Sequence, residues 1–198
     1  MKIKIFITGS SGFIGFHSAK KFLDKGFKVH GFDSMNNYYD TNLKKSRLKI
    51  LNNYKYFSFT KGNLENEKKL NDSIKKFKPS IIIHLAARVH EMGNQTNSQQ
   101  QEYITVNEEG TQKLALSAAN AGVKRFVFIS TIKVNGEKTY ERPFTENDEV
   151  NPSDFYSISK SNAEKSLLRI HENTGLEVII LRVPLVYGPR VKGNFYSL

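Results

Sequence analysis

The sequence predicts an α/β fold, a doubly wound parallel sheet. Three observations lead there. Strand-like runs alternate with helix-period segments along the 198 residues. One run, Ser80 to Ala86, is apolar nearly throughout, as a strand covered on both faces is. A glycine-rich turn sits between the first strand and the first helix. Taken in order, Lys2 to Thr8 is a β-rich run. Phe13 to Lys25 has helical spacing and closes at Gly26, a natural stop. Lys28 to Asp33 is a second strand, and a polar stretch from Ser34 to Thr41 leads to a short helix near Leu43 to Leu51. Tyr54 to Thr60 alternates aromatics as a third strand; Leu64 to Phe77 is a helix ended by Pro79. After the fourth strand, an Asn-, Gln- and Ser-rich loop spans Gly93 to Gln101, and a long helix runs to Asn120 and Gly122. Arg125 to Ser130 is the fifth strand, Asp154 to Asn173 a helix closed by Gly175, and Leu176 to Val183 the sixth strand. Neither an internal repeat nor an interdomain linker interrupts this alternation.

The length suits one domain, or one and a fraction, and 38% hydrophobic with 25% charged residues is a globular composition. The absence of cysteine excludes disulfides, thiolate metal sites and cysteine nucleophiles, and makes a cytoplasmic home the simplest expectation. No apolar run approaches the ~18–20 residues that span a bilayer, so no membrane partner is expected. The net charge of +11 comes from 23 lysines and 7 arginines against 19 acids. Its densest clusters, Lys44 to Lys49 and Lys68 to Lys78, alternate with Leu43, Leu48 and Leu51 and with Leu70, Ile74 and Phe77. Both read as solvated faces of amphipathic helices, and no nucleic-acid motif accompanies them. His17, His30, His84, His90 and His171 show no ligand spacing, so no metal site is expected. His84, inside an apolar strand, reads as a core histidine with its hydrogen bonds satisfied.

Two constellations carry chemistry. Gly9-Ser10-Ser11-Gly12-Phe13-Ile14-Gly15 has the spacing G-x-x-G-x-x-G. Glycine lets the backbone come close to a pyrophosphate, the following helix N-terminus supplies free N–H donors, and Gly15 permits close packing of helix on strand. A ligand-free glycine turn is the alternative for the motif alone. Asp33, eighteen residues beyond Gly15 at the end of the second strand, stands where a carboxylate would accept hydrogen bonds from an adenosine ribose. It would repel a 2′-phosphate, which favours NAD over NADP, although Lys44, Lys45 and Arg47 are close in sequence. The second constellation is Tyr156-Ser157-Ile158-Ser159-Lys160 with Thr131, about 25 residues upstream at the end of the fifth strand. Tyr156 and Lys160 share a helix face, and a lysine cation near a phenol lowers its pKa. Thr131 can share hydrogen bonds with a substrate oxygen and the tyrosine, or be satisfied by backbone.

These segments, with His84-Leu85-Ala86-Ala87, Asn107 to Thr111, Phe128 to Thr131 and Val186-Tyr187-Gly188-Pro189, resemble the extended short-chain dehydrogenase/reductase family. The likeness is to its nucleotide-sugar epimerase/dehydratase branch and covers nearly the whole chain. The resemblance implies a Rossmann fold with NAD held by Gly9, Gly12, Phe13, Ile14, Gly15 and Asp33. It implies Asn63 and Leu64 at the adenine, and Leu85, Ala86 and Ala87 along the dinucleotide. It implies Thr131, Tyr156 and Lys160 as the catalytic set, with Lys160 also on the nicotinamide ribose and Asn194 as a backbone-proximal substrate contact. Asn107 is either a cofactor neighbour or a residue that orients the sheet. Asn63 stands where the family usually has Asp, and Asn135 where it often has Tyr. Ile132 and Lys133 stand where its dehydratases carry an Asp-Glu pair, which argues against dehydration.

The implied activity is NAD-dependent 4-epimerisation of a nucleotide-diphosphate sugar, a UDP-sugar, in surface-polysaccharide synthesis. Ala87 to His90, Ile132 to Gly136 and Val191 to Phe195 look more like 4-keto-sugar reductases, whereas Asp33 to Tyr39 looks like hexuronate 4-epimerases. A non-catalytic NAD-binding module is the reading of another class. The expected organisation is a dinucleotide domain over residues 1–190 and the start of a substrate lobe over 191–198, the chain being the cofactor half of a longer enzyme. A homodimer through the helix ending at Asn120 and the helix carrying Tyr156 is the expected assembly.

Overall fold

A computed structural model of the chain describes residues 2–37, 40–89, 96–139 and 141–188. Among them are strands β1 (Lys4–Thr8), β2 (Lys28–Asp33), β3 (Phe57–Lys61), β4 (Ile81–His84), β5 (Arg125–Thr131) and β6 (Glu177–Val183). The helices are α1 (Phe13–Asp24), α2 (Thr41–Leu51), α3 (Glu67–Phe77), α4 (Asn97–Tyr103), α5 (Gly110–Asn120) and α6 (Phe155–Thr174). The six strands form one sheet in the order β3-β2-β1-β4-β5-β6, and every neighbouring pair is parallel. Each strand therefore needs a crossover, and the helices supply it. The order reverses between β1 and β4, which opens a crevice beyond their carboxyl ends.

Side chains alternate across a strand, so β1 feeds two cores. Phe6 packs with Phe32, Phe126 and Phe128 under Leu70, Ile74, Leu114 and Leu167 of the helices on one face. Ile5 and Ile7 pack with Val29 under Phe16, Ala19, Leu23 and Leu51 on the other. Burial of side chains this size stabilises by about 1.5–3 kcal/mol each, which fixes the register. Helix ends follow local chemistry. Asn66 and Asp154 cap α3 and α6 with side-chain acceptors, and Gly175 ends α6 in the left-handed conformation.

Two expectations need correction. The polar stretch read as loop through Gln101 is already helical from Asn97, because Thr96 and Gln99 form a capping box that starts α4. Between α4 and α5 the helix widens into a π turn over Ile104–Glu109, which places Asn107 fully in the interior. The second correction concerns charge: Lys44 and Arg47 are not solvated but only 5% exposed each. Helix α2 lies against the glycine turn, so Arg47 donates to the Ser11 carbonyl at 3.4 Å and covers the Phe13 and Phe16 rings. Lys44 donates to the Asn36 backbone and side-chain oxygens at 3.1 and 2.7 Å. The lysine-rich α3 is as expected, with Leu70, Ser73 and Ile74 buried.

Candidate active site

The glycine turn is built by close backbone contacts. Gly9 has φ +67°, and a Cβ there would lie 2.8 Å from the Ala86 amide nitrogen. Its N–H donates to the Phe32 carbonyl at 2.8 Å, and its carbonyl accepts from Gly12 N–H at 3.0 Å. A Cβ on Gly15 would lie 2.1 Å from the Gly9 carbonyl oxygen, so only glycine lets α1 sit on the turn. Gly12 is the N-cap of α1 and offers no side chain to its first amides, and no acidic residue stands in the first turn. The N–H groups of Phe13, Ile14 and Gly15 begin the helix there, with its positive dipole end beside them.

Asp33 is 5% exposed and ties the glycine turn to the segment after β2. Its carboxylate accepts from Ser11 N–H at 2.9 Å and from Met35 N–H at 2.8 Å. Across the crevice, Leu85 and Ala86 N–H both donate to the Thr8 hydroxyl at 3.1 Å. Asn107 accepts from Arg88 N–H at 2.8 Å and donates to the Arg88 carbonyl and the Ser159 hydroxyl at 2.9 and 3.0 Å. Its side chain is thus spent joining the segment after β4 to α6, the orienting role. Asn63 is exposed; the Leu64 side chain belongs to the core. Asn194 lies outside the described residues.

His84 is the satisfied core histidine expected of it. Thr111 donates its hydroxyl proton to the Asn107 carbonyl, so it must accept from His84 Nε2–H at 2.9 Å. Nδ1 then accepts from Thr8 at 2.6 Å, and the ring is neutral. Burial, assisted by the Lys160 charge, holds its pKa well below the ordinary imidazole range.

The structure brings Thr131, Tyr156 and Lys160 together. Thr131 ends β5 with its hydroxyl beside the Tyr156 phenol, and that hydroxyl accepts from Lys133 N–H at 3.3 Å. Tyr156 and Lys160 project from one face of α6, whose start is fixed by the Asp154–Ser157 capping box. Lys133 pairs with Asp154 at 2.5 Å and with Glu137 at 3.2 Å. The Tyr103 ring lies 6.2 Å from that of Tyr156.

The electrostatics correct the expected effect of Lys160 on the phenol. Burial, then the Asp154 charge, push the Tyr156 phenol up to about 12, against the pull of the Thr131 hydrogen bond. The Lys160 ammonium instead lies 3.9 Å over the Phe128 ring. Spacing placed the two side chains on one face without fixing where the ammonium rests. Burial brings Lys160 itself down to about 7, opposed by the Glu164 carboxylate. The sign of the resulting pH dependence follows from linkage. Between about 7 and 10.5 the unfolded chain keeps a Lys160 proton that the folded chain has lost. Stability from this group therefore rises with pH across that window, by a few kcal/mol at order of magnitude. Urea unfolding at pH 7 and 9 is expected to show a rise in the wild type that Lys160→Met loses; equal slopes would refute this assignment.

The sequence reading missed the network behind this set. Glu164, 4% exposed, accepts from the Ser130 hydroxyl and from Arg182 of β6, the latter at 2.7 Å. Two signals pointed to it: an acid one turn beyond Lys160 on the same face, and a cation inside an otherwise apolar strand. Arg47 had a signal too, since Leu43, Arg47 and Leu51 share one helical stripe.

The residues present fit a dinucleotide. The helix start is uncapped by any side chain, and the buried Ser10 and Ser11 hydroxyls have no hydrogen-bond partner among the described residues. Among those residues no cluster of metal-ligating side chains occurs, and no helix is long and apolar enough to cross a membrane.

Comparison with known proteins agrees. The chain is 47% identical over 120 residues to a UDP-glucose 4-epimerase of Vibrio cholerae, covering 60% of this chain and 37% of that protein. It is 33% identical over 197 residues to a dTDP-D-glucose 4,6-dehydratase of Dictyostelium discoideum, covering 94% of this chain and 44% of that protein. The crystal structure of a UDP-glucuronic acid 4-epimerase from Bacillus cereus, in complex with UDP-glucuronic acid and NAD, superposes with a TM-score of 0.87 at 28% identity. That match covers 95% of this chain and 58% of the other, so the chain spans about half the length of such relatives. Residues 5–197 match the NAD dependent epimerase/dehydratase family, and with the strand order, the glycine cradle and the Thr131–Tyr156–Lys160 set in place, the chain belongs to that family.

Proposed function

We propose that the chain binds NAD and carries the catalytic residues of a 4-epimerase acting on a nucleotide-diphosphate sugar, a UDP-sugar by preference. The observation that carries this reading is the convergence of Thr131, Tyr156 and Lys160 across the crevice from the uncapped start of α1. No carboxylate pair follows Thr131: Ile132 cannot ionise, and Lys133 is held by Asp154 and Glu137. That favours epimerisation over water elimination, although one relative is a dehydratase by name. Another relative's name, a low-salt glycan biosynthesis protein of Haloferax volcanii, supports a role in polysaccharide assembly.

NAD, when bound, supplies the hydride acceptor. For epimerisation Tyr156 has to enter as the phenolate, take the proton of the sugar 4-hydroxyl and later return it, while Thr131 holds the same oxygen by its hydroxyl. Lys160, whose ammonium rests over the Phe128 ring, would donate hydrogen bonds to the cofactor ribose. The amides of Phe13 and Ile14 hold the pyrophosphate, and Asp33 holds the adenosine ribose from its place against Ser11. Leu116 of α5 and Leu168 of α6, at 41% and 50% exposure, support a homodimer through those helices.

One feature favours a second reading. A phenol pushed up to about 12 stays protonated, which suits donation to a 4-keto sugar by a reductase. The two separate in one assay. Incubated with UDP-glucose or UDP-glucuronic acid and no added cofactor, the protein is expected to form the 4-epimer, followed by NMR. Strict dependence on added NADH or NADPH would replace the epimerase with the reductase. Calorimetry with NAD⁺, NADP⁺ and UDP completes the test: NAD⁺ is expected to bind at least about tenfold tighter than NADP⁺ because of Asp33. NAD⁺ binding without UDP binding would favour a cofactor-binding module.

A further inference from the structure

We propose that Glu164 is the positioning residue of the catalytic set, a buried carboxylate that ties the strand end bearing Thr131, the helix bearing Tyr156 and Lys160, and strand β6 into one unit. This rests on the catalytic reading of those three residues given above. The carboxylate accepts from the Ser130 hydroxyl, one residue before Thr131. It also accepts from Arg182, through Nε at 3.2 and 3.1 Å and through a terminal nitrogen at 2.7 Å. The other terminal nitrogen of Arg182 donates to Asn135 Oδ1 at 3.2 Å, and Asn135 Nδ2 donates to the Asp148 carbonyl at 3.5 Å. One acid thus joins β5, α6, β6 and the loop after β5.

Stability alone does not account for such a pair. A buried ion pair is often no better than well-packed apolar side chains of the same volume. What the pair adds is a fixed direction and a fixed charge. Ser130 is held, so the strand end from which the Thr131 hydroxyl meets Tyr156 is held with it. Glu164 also lies one helical turn beyond Lys160, and its charge favours the ammonium that burial opposes. The other groups around Lys160 do not replace it. His84 of β4 is neutral, Phe128 of β5 offers only its ring, and Tyr156 on the same helix is protonated. Asp154 is engaged by Lys133, and Glu108 of the π turn bonds Asn162. Arg182 of β6 reaches this region through Glu164 itself.

The test uses the 198-residue chain, with Lys160 followed by the pH titration of its ¹³Cε resonance, assigned with Lys160→Met. Glu164→Gln is expected to lower the Lys160 midpoint by about one to two pH units, and Glu164→Asp to restore most of that shift. A general loosening of the fold would not distinguish Gln from Asp by charge. Identical midpoints in wild type and Glu164→Gln would overturn the proposal. If Glu164→Gln does not fold, Ser130→Ala decides, because it keeps the charge and cuts the link to β5. It is expected to lower kcat about tenfold with the sugar KM little changed, and an unchanged kcat would overturn the proposal. NAD⁺ calorimetry on the wild type runs beside these: absence of binding would refute the functional reading, while the midpoint comparison still decides the role of Glu164.

Discussion

Tyr156→Phe is expected to lower turnover by about 10²- to 10⁴-fold while leaving NAD⁺ affinity and the unfolding midpoint nearly unchanged. The hydroxyl is the only polar atom of the side chain, and it is the group that meets Thr131. Removing it deletes the proton carrier but keeps the ring against Tyr103. The phenol donates no bond on which the packing of α6 depends, since that helix is anchored by Asp154, Ser157 and Ser159. The measurements are steady-state conversion of the sugar nucleotide, calorimetry with NAD⁺ and urea denaturation. A variant within threefold of wild-type turnover would remove Tyr156 from the chemistry, about 0.6 kcal/mol being too little for a lost proton-transfer group. A variant that unfolded early would instead make the residue structural.

Gly15→Ala is expected to be the most damaging single-carbon change in the cradle. The added Cβ would lie 2.1 Å from the Gly9 carbonyl oxygen, 2.8 Å from its carbon and 2.9 Å from Ser10 Cα. All three are backbone, so no side chain can swing aside; α1 must back away from the turn. Overpacking of this kind costs about 1–3 kcal/mol of stability. The displaced helix also carries the amides aimed at the pyrophosphate, so the Kd for NAD⁺ is expected to rise at least about tenfold. Gly26→Ala is the control. It is strained by its φ of +80° but meets no atom within 4 Å, and it sits at the far end of α1. It should lose stability alone. If both variants bind NAD⁺ as wild type does, the glycine turn is not the anion cradle.

Much of this architecture could be read from the residues because parallel strands are buried on both faces. Ile81 to His84, or Phe126 to Phe128, leave little choice of environment. The glycine spacing and the Tyr156–Lys160 pair were legible for a different reason: each encodes a distance along a known local geometry. What sequence periodicity did not show were interactions between distant segments. A stretch of Asn, Ser and Gln reads as loop until Thr96 is recognised as a cap for Gln99. Arg47 looks solvated until α2 is laid on the glycine turn. The ammonium of Lys160 is expected beside the phenol until Phe128 offers a ring face 3.9 Å away. Each of these depends on which element is neighbour to which, and that is a property of the sheet order.

The strand order also sorts the charge. Among the described residues, those up to Lys78 hold 17 Lys and Arg against 6 Asp and Glu, and those after it hold 11 against 12. Those first residues build β1, β2, β3 and the helices α1, α2 and α3, one side of the sheet; the rest builds β4 to β6. The net charge is therefore not a uniform coat but a permanent dipole lying across the strands, positive toward β3. At physiological ionic strength its field fades over about 8 Å, and in dilute buffer over about 30 Å. The half-sheet that presents the glycine turn is the half that a dianion meets as attractive from a distance, while the half that presents Tyr156 and Lys160 is close to electrically silent until contact.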